Sequence, residues 1–235
     1  MVKPLISVHP DRNSMFRDAC SYIVSASGRA ISKRNVFYLA LSGGKTPRPL
    51  YEMLAGSEID WRSVEIFLVD ERFVDHDNPE SNYRMLKGAL ISRIKIPDRN
   101  VHPVPTGLPS PRESATAYRE TLLKFMGSEP WPGFDLVILG IGADGHTASL
   151  FPGGPGLDSE GIVVSTRAPP DYTTTDRVSL SLRAINSSRE IIFLATGGEK
   201  RPSVKSALGG DPGFPAAMVR ARGGVRWYVT RDVID

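Results

Sequence analysis

Short runs of consecutive apolar residues recur along the chain, and each predicts a strand that is buried on both faces. The clearest runs are residues 36–41, 66–69, 136–139 and 191–195. Runs of this length and composition are typical of parallel strands covered by helices on both sides. Further strands are predicted at residues 5–8, 161–165 and 225–230. Residues 178–182 alternate as VSLSL, which predicts an edge strand with one solvated face.

Apolar residues at helical spacing predict amphipathic helices between these strands. One covers residues 11–29, and another follows Thr46, which we expect to be its N-cap with Pro47 in the first helical position. A third begins at Ser110 with the capping box SPRE. Because strands and helices alternate without repeats or linkers, we expect a single α/β domain over residues 1–235 with a mostly parallel sheet.

Glycine-rich turns follow two of the strands, at the sheet edge where open parallel sheets bind ligands. The first turn, SGGKT at residues 42–46, leads into a helix N-terminus, whose free N–H groups and dipole attract an anion. The alternative is a simple tight turn into a capped helix. The spacing is not that of a Walker motif, so it does not indicate an NTPase.

The second turn, GIGADGH at residues 140–146, carries a carboxylate and an imidazole, Asp144 and His146. Imidazole titrates near neutrality, so it is suited to proton transfer. A structural loop histidine is the plainer alternative. The turn also fits the pattern GxGxxG, but it lies past mid-chain and is followed by Pro152, which disfavours a dinucleotide site.

Two more strand ends carry cations, Arg72 within the segment DER and Lys200 within GGEK. Each could simply be a surface residue, Arg72 in an ion pair worth little and Lys200 in water. Together with the first glycine turn, however, they imply an anionic ligand, most simply a phosphate. Because GxSxG and HExxH are absent and no nucleophilic cysteine is available, the chemistry we expect is metal-free acid–base catalysis on a phosphorylated small molecule.

Composition narrows the class of partner. The net charge is +3 and the isoelectric point about 9.0, but Lys and Arg are scattered, so we expect no nucleic-acid binding. The single cysteine, Cys20, excludes an internal disulfide framework and is expected in the core. No apolar run reaches 18 residues and the first residues lack a signal pattern, so we expect a cytoplasmic protein with no membrane contact.

Four segments in order, LSGGKTP, VDERFVDHDNPESNYRML, LGIGADGHTASLFPG and GGEK, resemble the 6-phosphogluconolactonases of the pentose phosphate pathway. They span about residues 36 to 200. The related glucosamine-6-phosphate isomerases/deaminases share SGG-TP and G-DGH. They continue with an apolar residue, Ala-Phe and an Asn-Glu-Pro segment whose glutamate assists the chemistry. This chain has TASLFP at residues 147–152, without that acid, which favours the lactonase.

The resemblance implies an open, mostly parallel Rossmann-like sheet with helices on both faces. It implies hydrolysis of 6-phospho-D-glucono-1,5-lactone to 6-phosphogluconate without cofactor or metal, with His146 as general base supported by Asp144. The residues that it assigns to the sugar-phosphate pocket and the phosphate are Ser42, Gly43, Gly44, Thr46, Arg72, Arg177 and Lys200. We expect a monomer or a weak homo-oligomer. An aminosugar-phosphate isomerase/deaminase and a non-catalytic phosphosugar sensor remain as alternatives.

Overall fold

Ten strands and seven α-helices make up the computed structural model, which describes residues 4–127, 131, 133–154 and 156–235. The strands are β1 (Leu5–His9), β2 (Phe37–Leu41), β3 (Val64–Leu68), β4 (Asp70–Arg72), β5 (Val101–His102), β6 (Leu136–Gly140), β7 (Val163–Arg167), β8 (Asp176–Leu180), β9 (Glu190–Ala195) and β10 (Val225–Thr230). The α-helices are α1 (Arg12–Arg34), α2 (Arg48–Leu54), α3 (Asn82–Ala89), α4 (Pro111–Met126), α5 (Leu182–Asn186), α6 (Arg201–Leu208) and α7 (Arg231–Ile234).

Seven of the strands form an open parallel sheet in the order β1-β10-β9-β6-β2-β3-β5. Consecutive residues of β2, β6 and β9 are buried. Because successive side chains of a strand point to opposite faces, both faces of the sheet are covered, as the unbroken apolar runs predict. None of the described helices is long and apolar enough to cross a membrane.

The strand order reverses direction between β2 and β6. From β2 the chain adds β3 and then β5 on one side, returns to β6 on the other side, and continues outward through β9 and β10. The turns that follow β2 and β6 therefore leave the sheet in diverging directions and open a crevice between them. Such a switch point is where doubly wound sheets bind ligands, and both predicted glycine turns lie there.

A second, three-stranded antiparallel sheet has the order β4-β8-β7. The prediction that residues 178–182 form an edge strand with a solvated face is therefore wrong, because β8 is the middle strand and its residues 177–180 are buried. The serines of the alternating pattern are satisfied by hydrogen bonds rather than by water. Ser179 Oγ accepts from Ser149 N (3.2 Å), and Ser181 Oγ caps α5 by accepting from Ala184 N.

Helix boundaries differ from the sequence expectation at two places. Helix α1 continues to Arg34, five residues past the predicted end, because Asn35 in the left-handed conformation ends it there. Helix α2 begins at Arg48 with Pro47 in the N-cap position, so Thr46 is not a helix cap. The predicted start of α4 is confirmed, with Ser110 Oγ accepting from Glu113 N at 3.2 Å.

Candidate active site

A cavity of about 210 Å³ lies at the switch point, at the carboxyl ends of β2 and β6. It brings together residues from five separate segments of the chain. Of the nine predicted site residues, those that line it are Ser42, Gly43, Gly44, Thr46, Arg72, His146 and Lys200. The other two, Asp144 and Arg177, lie behind this lining, each beside one of its members, as described below.

The turn after β2 forms one wall and is held by hydrogen bonds to both neighbours. Ser42 Oγ donates to Ile138 O in β6 (2.7 Å), and Tyr51 OH in α2 donates to Ser42 O (2.7 Å). The next residue, Gly43, packs against the start of α3, where a Cβ atom would overlap the side chain of Asn82. Glycine is therefore required at this position by close approach, and Asn82 becomes part of the cavity wall.

Lys200 closes the same end of the cavity from the turn after β9. Its ammonium lies 3.3 Å from the hydroxyl of Thr46, to which it donates. Burial lowers the pKa of Lys200, because removing the ammonium from water disfavours its charged form. The charge of this lysine is therefore only partly compensated by solvent, and the end of the cavity formed by Thr46 and Lys200 favours an anionic group.

His146, which also lines the cavity, forms a pair with Asp144. His146 Nδ1 lies 2.6 Å from Asp144 Oδ1, which also accepts from the backbone N–H of His146 (3.1 Å). Burial alone would raise the pKa of Asp144, but its bonds to His146 outweigh that effect and lower it. Gly142 packs so closely against the pair that a Cβ atom would overlap both side chains.

This pairing settles which imidazole nitrogen is free for chemistry. The carboxylate of Asp144 is an acceptor, so Nδ1 carries the proton in the neutral ring and Nε2 keeps its lone pair. The side chain of His146 is 23% exposed, and the ring lies among the residues that line the cavity. An imidazole with an accessible lone pair and an oriented ring can act as a general base.

Arg72 and Arg177 stand opposite each other on β4 and β8. Arg177 is 3% exposed, and burial together with the charge of Arg72 lowers its pKa. The Nε atoms of both arginines are buried without a hydrogen-bond partner among the described residues. Like charges on directly opposed strand positions repel each other. A bound anion next to Arg72 would relieve this repulsion. The wall of the cavity that the three-stranded sheet forms therefore also favours an anionic group.

Two acidic residues beside Arg72 have structural contacts that the sequence pattern does not reveal. Glu71 is fully buried and accepts from the backbone N–H groups of Asn82 (2.7 Å) and Tyr83 (2.8 Å), which anchors the start of α3. Burial raises the pKa of Glu71, although these backbone donors oppose the shift. Asp70 accepts from Ser149 Oγ at 2.6 Å and so ties the small sheet to the segment that follows His146.

Fold and site together define a class: an α/β protein whose sheet edge carries a cation-lined pocket with an imidazole–carboxylate pair. The family model for glucosamine-6-phosphate isomerases/6-phosphogluconolactonase matches residues 10–227. The chain belongs to this family.

Individual relatives agree with this assignment. The chain is 35% identical to a 6-phosphogluconolactonase of Synechocystis sp., over 97% of this chain and 96% of that protein. Among solved structures, a 6-phosphogluconolactonase from Thermotoga maritima superimposes with a TM-score of 0.88 at 33% identity, covering 97% of this chain and all of that one. A 6-phosphogluconolactonase from Trypanosoma cruzi gives a TM-score of 0.89 at 30% identity, covering 98% and 96%.

Proposed function

We propose that this protein is a 6-phosphogluconolactonase, which hydrolyses 6-phospho-D-glucono-1,5-lactone to 6-phosphogluconate in the pentose phosphate pathway. The observation that supports this most strongly is that the oriented imidazole of His146 shares one cavity with Thr46, Arg72 and Lys200. A lactone carbonyl needs an activated water at one point, and a phosphorylated sugar needs an anion site at another. Relatives that are 33–35% identical over 97% of the chain carry this activity in their names.

In the proposed mechanism His146 acts as general base and then as general acid. Its Nε2 takes a proton from a water molecule whose oxygen attacks the lactone carbonyl carbon, and a tetrahedral intermediate forms. The imidazolium then gives the proton to the ring oxygen as the carbon–oxygen bond breaks. Asp144 holds Nδ1–H in place and stabilises the imidazolium.

The proposed phosphate site lies beside Thr46 and Lys200 in the cavity wall. Lys200 and Thr46 hold the phosphate there, and Arg72 approaches it from β4 with Arg177 behind. The backbone of residues 42–44 lines the sugar. Fixing a remote phosphate lets binding energy position the reacting carbonyl against the base. Because δ-lactones already hydrolyse in water, general acid–base catalysis by one imidazole is sufficient for this reaction.

The segment after His146 argues for the lactonase over the deaminase. Ala148 lines the cavity with a positive φ of 53°, and Ser149 is bonded to Asp70. This segment therefore presents only the methyl group of Ala148 to the cavity, while the hydroxyl of Ser149 is buried and donated to Asp70. Neither group can transfer a proton in place of the glutamate that assists the deaminases.

The test is an assay on freshly generated 6-phosphogluconolactone, with acid release followed at constant pH against a buffer blank. We expect hydrolysis well above the blank, and no ammonia release from glucosamine 6-phosphate. A rate equal to the blank contradicts the proposal. Ammonia release would establish the deaminase, and binding of 6-phosphogluconate without turnover would establish the sensor.

Other expectations from the sequence belong to the same proposal: a single domain over residues 1–235, a cytoplasmic location, no cofactor, no nucleic-acid partner, and a monomer or weak homo-oligomer. A single domain predicts one cooperative thermal transition with equal calorimetric and van't Hoff enthalpies. Sedimentation at several concentrations tests the oligomeric state. Two separated transitions would contradict the single domain.

A further inference from the structure

Tyr172 touches the His146–Asp144 pair from the loop between β7 and β8, residues 168–175. Its hydroxyl oxygen lies 3.3 Å from His146 Nδ1. Its ring packs edge-on against His146, with centroids 6.0 Å apart, and against Phe151, with centroids 5.4 Å apart. The guanidinium of Arg177 lies 5.7 Å from the centroid of the same ring. This one side chain therefore contacts both the imidazole and the buried arginine.

The protonation state of His146 determines which atom can accept a hydrogen bond from the Tyr172 hydroxyl. In neutral His146 the single proton on Nδ1 is donated to Asp144, at 2.6 Å. The phenol cannot donate to that protonated nitrogen, so the acceptor left for its proton is the carboxylate of Asp144. Burial and the charge of this carboxylate raise the pKa of Tyr172, which keeps the phenol protonated and able to donate.

The ring has a separate effect on the imidazole. Phe151 lies 4.8 Å from His146, centroid to centroid, and Tyr172 meets both rings nearly at right angles. Edge-to-face contacts of this kind fix ring planes. The imidazole is therefore held by Asp144 at one atom and by two aromatic neighbours along its plane.

We infer that Tyr172 is a positioning residue for the His146–Asp144 pair, whose hydroxyl bonds and aligns the carboxylate of Asp144 and whose ring sets the imidazole plane. The inference rests on the proposed function for its kinetic test. The charged groups that face Tyr172 are Asp144, Asp171 and Arg177.

The experiment compares Tyr172→Phe with wild type across pH. Loss of one hydrogen bond to a charged group predicts a fall in kcat of about 10-fold. We expect KM to change less than about 2-fold, since the hydroxyl acts through the pair rather than through the substrate. The acidic limb of the kcat profile moves to higher pH, because a carboxylate that has lost a donor holds more charge against the imidazolium.

Two further variants separate the ring from the hydroxyl. Tyr172→Ala is expected to lose more kcat than Tyr172→Phe and also to raise KM, because Arg177 loses its aromatic neighbour. Tyr22→Phe is the matched control, a half-buried tyrosine beside Glu190 and under Arg226. It is expected to leave kcat, KM and the pH profile unchanged.

A Tyr172→Phe enzyme with wild-type kcat and an unmoved acidic limb of the kcat profile overturns the inference. An increase in KM with unchanged kcat overturns it as well. A ¹⁵N NMR titration of the His146 side chain gives a readout independent of turnover. Its midpoint is expected to rise in Tyr172→Phe, and an unmoved midpoint overturns the inference even where lactone hydrolysis is absent. Absence of lactone hydrolysis in the wild type, by contrast, counts against the proposed function alone.

Discussion

The two ends of the cavity are built in different ways. The phosphate end, Thr46 and Lys200 with the turn after β2, consists of short turns that follow directly from parallel strands. The base end depends on contacts between distant segments, such as Ser149 with Asp70 and Tyr172 with His146. The turns of the phosphate end are local in sequence, although Lys200 meets Thr46, 154 residues away, only in the folded sheet. At the base end the Asp144–His146 pair is local, whereas the contacts around it join segments that meet only when the three-stranded sheet packs against the rest of the chain.

The difference also divides the chemistry. In the proposed mechanism, groups at the phosphate end hold a part of the substrate that does not react, so their loss should weaken binding. Groups at the base end are proposed to act on protons that move in the transition state, so their loss should lower turnover. Four changes test this division, taken from the largest expected effect to the smallest.

Replacing His146 by Ala removes the proposed base. We expect kcat to fall by about 100- to 10,000-fold with little change in KM, because general acid–base catalysis contributes that much. Steady-state kinetics on fresh lactone measure it. His9→Ala, at the edge strand β1, is the control and should keep wild-type kcat. A His146→Ala enzyme with near-normal turnover would show that the base lies elsewhere.

Replacing Lys200 by Met removes the cation at the phosphate end. We expect KM for the phosphorylated lactone to rise by about 10- to 100-fold, the value of a hydrogen bond to a charged group. Hydrolysis of unphosphorylated glucono-1,5-lactone should change little, since it has no phosphate to hold. An equal loss of kcat/KM on both substrates would show that Lys200 does not act through the phosphate, which would contradict the proposed division between the two ends.

The same lysine predicts a pH dependence for product binding. Its pKa is lowered by burial, so the ammonium loses its proton as pH rises through a value below the ordinary lysine range. Affinity for 6-phosphogluconate, measured by calorimetry, should therefore be full at neutral pH and decline on the alkaline side. In Lys200→Arg the decline should disappear, because arginine stays charged. A decline that persists in Lys200→Arg would assign it to another group.

Replacing Gly43 by Ala tests the wall of the cavity. The added methyl group overlaps Asn82, whose Nδ2 donates to Asp70 O at 2.9 Å, so either Asn82 or the turn must shift. We expect a destabilisation of about 1–3 kcal/mol by overpacking, together with a several-fold rise in KM. The control is Gly28→Ala, in open space on α1, which should stabilise by about 0.5–1 kcal/mol. Equal melting temperatures for the two variants would contradict the close packing.

The local pattern of apolar residues and glycines was sufficient to predict much of the fold. The apolar runs predicted the parallel strands, and the glycine turns after β2 and β6 were correctly expected at the carboxyl edge of the sheet, where the cavity lies. These features depend on residues adjacent in sequence, since burial on both faces and turn geometry are local requirements. The residues of the phosphate end could be named for the same reason.

Other features had no local signal. VSLSL predicted an edge strand because alternation is ambiguous when serine can be buried with a partner, as Ser179 is. Thr46 resembled a helix cap, yet the helix begins at Arg48. Tyr172 lies in an irregular loop, and nothing in its neighbours indicates that it reaches His146.

The sequence by itself determined the class of fold, the edge of the sheet where the cavity lies, and the residue types available there. Only the tertiary structure decided how Lys200 reaches Thr46, how Arg177 comes to oppose Arg72, and which tyrosine meets the imidazole. The physical reason is the sequence separation of the interacting residues. Strand burial and turns are fixed by neighbours along the chain. The alignment of a proton-transfer group depends on side chains tens of residues apart that meet only once the two sheets have packed.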